Sequence, residues 1–182
     1  MKIEENSYYH LYNRGNNKEL IFYEKENYHF FLERFKKHIY PHVDVFAYCL
    51  MPNHFHFFLR INNLIGFEKE IKNFFISYTK SINTYYKRVG SLFQGRYKIE
   101  KIDSESYYTR IITYIHQNPK DLISNGKLSD YKYSSYNAYL SEKVTLIQKD
   151  EVLEWFGGLQ EFISIHQLAK SQRPVLSKTS TV

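Results

Sequence analysis

The order of strand-like and helix-like segments is the feature that most constrains the fold of this chain of 182 residues. Its clearest part is a pair of segments rich in β-branched and aromatic residues, Val43–Met51 and His54–Ile61, separated only by Pro52 and Asn53. Such a pair predicts two strands joined by a tight turn. We therefore expect a β-hairpin at the centre of the protein.

Three helical patterns accompany this hairpin. Apolar residues recur at three- and four-residue spacing in Glu26–Ile39 and in residues 67–88, which predicts two amphipathic helices. Ser104 is a suitable N-cap for a third helix, which we expect to end at about Asn118 because Pro119 follows.

Two further strands complete the pattern. They are predicted over Tyr8–Arg14, closed by a turn at Gly15, and over Phe93–Ile102. The resulting order is strand, helix, strand, strand, helix, strand, helix. This order predicts an α+β protein with a ferredoxin-like, or split βαβ, antiparallel sheet and helices packed on it.

The C-terminal part is less regular. We expect a loop over residues 121–137 and one helix over Asp150–Leu168. The chain then divides into a main domain at residues 1–140, a helical extension at 141–170 and a disordered tail at 171–182.

Composition limits the classes of function. Lysine and arginine number 25 against 19 acidic residues, a formal charge of +6, which favours a polyanionic partner. Aromatic residues make up 18% of the chain, enough to exclude disorder for most of it. Cys49 is the only cysteine, and neither a signal peptide nor a membrane span is predicted, so we expect a cytoplasmic protein without membrane contact.

His54 and His56 flank Phe55 in a predicted strand. Because side chains alternate along a strand, both imidazoles project from one face, at a spacing that suits chelation of one metal ion. The alternative is that two histidines merely lie on a half-buried sheet. A metal site therefore needs a third ligand from elsewhere in the chain.

The third predicted helix offers such a ligand. Tyr114 and Asn118 are four residues apart, so a phenol and an amide oxygen lie on one helical face, one turn from each other. A metal ion held by two imidazoles and an amide would polarise a phosphodiester, with Tyr114 within reach as a nucleophile.

Three sequence blocks, MPNHFHFFL, GSLFQGRYK and TYIHQNP, occur in this order and resemble the single-tyrosine HUH transposases. The resemblance is strongest to the branch associated with repetitive extragenic palindromes, and it covers roughly residues 7–140. It implies the HUH endonuclease fold and makes residues 1–140 the catalytic domain.

The resemblance also implies a mechanism. His54 and His56 would bind a divalent ion, Mg²⁺ or Mn²⁺, and Tyr114 would attack single-stranded DNA to leave a 5′-phosphotyrosine link and a free 3′-hydroxyl. The insertion-sequence branch has a glutamine four residues after its tyrosine as the third ligand, whereas this chain has Asn118, as in the palindrome-associated branch. The implied substrate is single-stranded DNA with a hairpin, and a homodimer is left open.

Neighbouring residues of the same helix are weaker candidates. The residues four positions after Tyr107 and Tyr108 are isoleucines, which cannot bind a metal ion. His116 is turned by about 200° around the helix from Tyr114, so we expect a structural role for it.

Basic residues interleaved with aromatic rings favour single-stranded nucleic acid, although the same residues could be a solvated strand and helix end. The candidate DNA-binding residues are Arg14, Lys87, Arg88, Arg96, Lys98 and Lys101.

The sequence therefore favours a metal-dependent transposase that cleaves and rejoins hairpin-containing single-stranded DNA. The alternative is a domesticated, non-catalytic binder of structured DNA or RNA. A replication initiator or relaxase would share the chemistry, but 182 residues leave no room for a helicase domain.

Overall fold

Four strands form one antiparallel sheet: β1 (Ser7–Arg14), β2 (Val43–Met51), β3 (His54–Ile61) and β4 (Lys98–Ile102). Their order across the sheet is β2-β3-β1-β4, with every neighbouring pair antiparallel. This is the ferredoxin-like arrangement predicted from the order of segments, and it confirms the α+β fold. The computed structural model describes residues 2–168, so the predicted disordered tail at 171–182 lies outside this range.

Six α-helices surround the sheet within the described part of the chain. They are α1 (Lys25–His38), α2 (Leu64–Tyr85), α3 (Glu105–Gln117), α4 (Tyr136–Leu140), α5 (Lys149–Phe156) and α6 (Leu159–Leu168). None of them, within residues 2–168, combines the length and apolar character that a bilayer span requires.

Alternation along β3 divides the helices between the two faces of the sheet. Phe57 points to one face, where its ring stacks on Phe35 of α1 at 4.2 Å. Phe58 points to the other face, where its ring lies 5.4 Å from Tyr108 of α3. Because successive side chains of a strand point to opposite faces, α3 lies across the sheet from α1.

Two element boundaries were predicted wrongly. The fourth strand begins at Lys98 rather than Phe93, because Gly95 has a φ of +72° and interrupts the extended backbone. The predicted helix Asp150–Leu168 is two helices, α5 and α6, because Gly157 and Gly158 both have positive φ.

Two other predicted segments differ less from the structure. The helix expected at residues 67–88 runs over Leu64–Tyr85, and the predicted loop at 121–137 contains short 3₁₀ turns and the first residues of α4.

The C-terminal helices pack against α3. The Trp155 ring of α5 lies 4.8 Å from Tyr108, and the buried Phe162 and His166 of α6 lie 5.9 and 5.0 Å from the ring of His116. The C-terminal extension therefore covers the side of α3 that carries Tyr108 and His116.

Candidate active site

The hairpin strand β3 and the helix α3 bring the predicted site residues together. His54 and His56 are two apart in β3, so both project toward the face of the sheet that α3 covers. Their rings are 5.2 Å apart, and the Tyr114 ring of α3 lies 5.5 Å from that of His56. All three side chains line one cleft of about 480 Å³ within a single chain.

Asn118 follows α3 directly and lies one helical turn after Tyr114. Its amide nitrogen donates to the backbone carbonyl of Tyr114 at 2.8 Å, which directs its Oδ1 toward the sheet. That oxygen lies 3.2 Å from Nε2 of His54. The helix end and the strand therefore meet through the amide that the sequence places four residues after the tyrosine.

The two atoms that meet there suit a shared cation. Nδ1 of His54 lies 2.7 Å from Oδ1 of Asn53, and in the neutral tautomer that donates to this oxygen Nε2 is an electron-pair donor. Oδ1 of Asn118 is an electron-pair donor as well. Their separation of 3.2 Å suits two ligands in adjacent positions around an octahedral ion with bonds of about 2.1 Å.

The environment of His54 favours this neutral form. Burial lowers the pKa of His54, and the nearby positive charge of Arg14 lowers it further, whereas the contact with Asn118 opposes the change. A neutral imidazole is the form that binds a metal ion.

His10 is a site residue that sequence reasoning missed. It is 1% exposed, and its Nε2 lies 2.8 Å from Nδ1 of His56. The sequence of β1 places His10 on one face of the strand together with Tyr8 and Tyr12. That His10 contacts His56 follows only from the strand register, which places Tyr12 opposite His56.

Comparison with known proteins shows which family this chain belongs to. The family model described as "Transposase IS200 like" matches residues 4–118, a segment that includes all four proposed ligand and nucleophile positions. The chain belongs to the IS200-like transposase family. This confirms the resemblance inferred from the sequence blocks and identifies the protein as a transposase of a DNA-cleaving family that generally uses a divalent metal ion.

A solved structure described as a REP-associated tyrosine transposase bound to a REP hairpin is similar to this transposase in fold, with a TM-score of 0.58. The two share 14% identity over 78% of this chain and 84% of that chain. The likeness shows the HUH fold, as expected. No curated protein matches the sequence.

Two of the six candidate DNA-binding residues lie in the cleft of this transposase. Arg14 and Lys98 both line it, together with Lys18, which the sequence did not single out. No acidic side chain of residues 2–168 is among the residues that line the cleft. It therefore presents positive charge beside Tyr114, as a site for a phosphodiester requires.

Arg88 and Lys101 lie outside the cleft and have acidic partners. Arg88 pairs with Glu19 at 3.1 Å and also hydrogen-bonds to the hydroxyl of Tyr23. Lys101 pairs with Glu4 at 2.6 Å.

The other two candidates have exposed side chains. Lys87 is exposed just beyond α2, and Arg96 lines a separate groove next to the cleft.

A metal site in this cleft would depend on the amide of Asn118. Among residues 2–168, no group of three or more histidine, cysteine, aspartate or glutamate side chains could hold a metal ion. The imidazole of His54 and the amide oxygen of Asn118 are 3.2 Å apart, and the ring of His56 lies 5.2 Å from that of His54.

The other residues of α3 have structural positions. Burial raises the pKa of Tyr108 to about 12, and its ring contacts Tyr8 and Trp155. His116 is fully buried, 2.9 Å from His166 and 2.8 Å from the hydroxyl of Ser135, on the side of α3 away from the cleft, as predicted.

Proposed function

We propose that this transposase cleaves and rejoins single-stranded DNA beside a hairpin, through a covalent link between Tyr114 and a 5′-phosphate. The principal support is that Tyr114, His54 and His56 line one cleft of one chain and that the amide oxygen of Asn118 lies 3.2 Å from His54. A single copy therefore supplies every residue that the proposed chemistry needs.

The proposed ligands of a divalent ion, Mg²⁺ or Mn²⁺, are His54, His56 and Asn118. The electron-pair donors of His54 and Asn118 that face each other at 3.2 Å support this assignment, as does the lowered pKa of His54. When bound, such an ion polarises the phosphodiester and stabilises the charge that develops on it.

Tyr114 performs the proposed covalent step. Its hydroxyl oxygen loses a proton to solvent water and attacks phosphorus, a P–O bond to tyrosine forms, and the bond to the 3′-oxygen breaks. The 3′-oxygen takes up a proton from solvent water and leaves as a hydroxyl. Because the phosphotyrosine keeps the energy of the original phosphodiester, attack by another 3′-hydroxyl rejoins DNA without ATP.

His10 is the proposed positioning residue for His56. If His56 binds the ion through Nε2, its Nδ1 carries the proton and donates to Nε2 of His10 at 2.8 Å. A hydrogen bond at the distal nitrogen fixes the tautomer and the ring orientation of a metal-binding histidine. Arg14 and Lys98 would hold the phosphates on either side of the scissile bond.

The proposed substrate is a hairpin with a single-stranded flank. The solved relative of similar fold was bound to a REP hairpin, and the cationic cleft of this chain suits a DNA backbone.

The test is covalent capture. We expect wild-type protein, incubated with a labelled hairpin oligonucleotide and Mg²⁺ or Mn²⁺, to give a protein–DNA adduct on a denaturing gel, and Tyr114→Phe to give none. Tyr107→Phe, on the same helix and outside the cleft, is the matched control and should behave as wild type. Hairpin binding without an adduct from the wild type would instead support a non-catalytic binder.

A further inference from the structure

A second groove, larger than the catalytic cleft, lies between α2 and the segment that precedes β4. Its volume is about 900 Å³. We call it the α2 groove and define it by the lining residues Lys72, Phe75, Ile76, Lys80, Arg96 and Tyr97. The chemistry proposed for Tyr114 does not use it.

The α2 groove presents three cations that have no acidic partner among residues 2–168. Lys72, Lys80 and Arg96 form no ion pair with an acidic side chain of residues 2–168, in contrast to Arg88 and Lys101. No acidic side chain in that range lines the groove, although Glu68 interacts electrostatically with Tyr97 at its edge.

The spacing of these cations suits a linear polyanion. Lys72, Ile76 and Lys80 are four residues apart on α2 and therefore share one face of the helix, about 12 Å from first to last. Both lysines are exposed, and Arg96 is exposed across the groove. An extended chain of phosphates lying along α2 would pass each of them in turn.

Apolar and aromatic surface lies between the cations. The rings of Phe75 and Tyr97 are parallel within 1° at 5.5 Å, and both are partly exposed. Ile76 is 64% exposed between the two lysines. Cations that alternate with accessible rings are typical of single-stranded nucleic acid sites, where phosphates contact the cations and bases stack on the rings.

The α2 groove and the catalytic cleft meet at one edge of the sheet. Asn13 lines both, and its amide nitrogen donates to the carbonyl of Gly95 at 3.4 Å. Gln94 lines the cleft, and its neighbour Gly95 lines the groove. A DNA strand that leaves the cleft would pass round this edge of the sheet, by Asn13 and Gln94, to reach the groove.

We propose that the α2 groove binds the single-stranded DNA that flanks the hairpin, and so holds the strand on one side of the cleavage point. This inference rests on the proposed function, because the strand is the one that Tyr114 cleaves. The flanking strand would contact Lys72, Lys80 and the Phe75–Tyr97 pair.

The test compares oligonucleotides with and without a flank. Affinity is measured by fluorescence anisotropy for a blunt hairpin and for the same hairpin with a 5′ or a 3′ single-stranded extension. We expect Lys72→Gln/Lys80→Gln to bind the blunt hairpin as wild type does and to lose about tenfold in affinity for one of the two extended forms.

Salt dependence gives a second measurement. Loss of two phosphate contacts on a single strand lowers the magnitude of the slope of log K against log salt by about 1.4. The ratio of wild-type affinity to variant affinity should therefore fall about sevenfold between about 50 and about 200 mM salt. The matched control is Lys37→Gln/Lys132→Gln, which removes the same charge at exposed positions outside both the groove and the cleft.

Tyr97→Leu tests the stacking contact. With 2-aminopurine in the extension, we expect wild type to quench its fluorescence and the variant to lose most of that quenching, while the melting temperature reports on folding.

Three results would overturn the proposal: equal binding of extended DNA by wild type and the groove variant, an equal loss in the control variant, or an equal loss for the blunt hairpin. The last result would assign the groove to the hairpin stem. Adduct formation on the extended DNA at saturating protein should persist in the groove variant, which separates failure of this inference from failure of the Tyr114 assignment.

Discussion

Acidification should loosen the packing of α6 on α3, because two neutral histidines are buried where these helices meet. His166 is 1% exposed, and its Nε2 lies 2.9 Å from Nδ1 of His116. Burial lowers the pKa of His166 to about 4, and the positive charge of Lys120 adds to this effect, whereas the hydrogen bond to the carbonyl of Phe162 opposes it. Burial also holds the pKa of His116 well below its ordinary value.

The magnitude follows from proton linkage. A histidine that titrates at 6.5 in the unfolded chain and at about 4 in the fold binds a proton more readily when unfolded. The stability it contributes is present above pH 6.5 and is lost as the pH falls toward 4. Each pKa unit corresponds to about 1.4 kcal/mol, so His166 alone accounts for about 3 kcal/mol, and His116 acts in the same direction.

The assay is urea unfolding from pH 7.5 to pH 4.5, for wild type and for His166→Gln. The variant should be less stable at pH 7.5, since it loses buried contacts, but its stability should fall less on acidification. The difference in the free energy of unfolding between wild type and variant should therefore decrease by about 2 kcal/mol from pH 7.5 to pH 4.5. His29→Gln, at an exposed position, is the control and should keep the wild-type slope.

A His166→Gln variant with the same loss of stability between pH 6.5 and 4.5 as wild type would show that His166 does not cause the acid sensitivity. In that case the histidine pair would not be the group that senses acid, and carboxylates elsewhere would have to account for the slope.

Three further outcomes test the proposed active site. Asn118→Ala should weaken Mn²⁺ binding, measured by electron paramagnetic resonance, by at least about tenfold, because it removes one of three ligands; unchanged affinity would rule out the amide as a ligand. His10→Phe should weaken Mn²⁺ binding by about 10- to 100-fold while His10→Gln, which keeps a hydrogen-bond acceptor, restores most of it, and metal-free DNA binding should stay at the wild-type level in both. Arg14→Gln/Lys98→Gln should lower the salt slope of single-strand binding by about 1.4 without moving the cleavage position, and an unchanged slope would place the phosphates elsewhere.

The pairing of β2 with β3 could be predicted from local sequence. The hairpin of β2 and β3 was evident from two apolar runs with a turn between them, and the order of segments then left few topologies. The break between α5 and α6 was missed because apolar periodicity continues through Gly157 and Gly158, whereas the backbone conformation depends on their positive φ. The late start of β4 has the same cause at Gly95.

The candidate site was predictable only where its residues are close in sequence. The spacing of His54 and His56 in a strand, and of Tyr114 and Asn118 in a helix, is local and periodic. The contact between His10 and His56 depends on strand register, which no local pattern specifies.

The ion pairs of Arg88 and Lys101 could not be predicted from the sequence either. Glu19 and Glu4 lie far along the chain from Arg88 and Lys101, so only the fold reveals that these two cations have acidic partners while Arg14 and Lys98 face the cleft.

Of the 18 tyrosines, Tyr114 is the one proposed to form the link to DNA. The most direct measurement is to digest the covalent protein–DNA adduct with protease and nuclease and to locate the phosphonucleotide by mass spectrometry. We expect a single modified peptide with the nucleotide on Tyr114, and no adduct from Tyr114→Phe. A nucleotide found on any other tyrosine, or an adduct of equal yield from Tyr114→Phe, would contradict it.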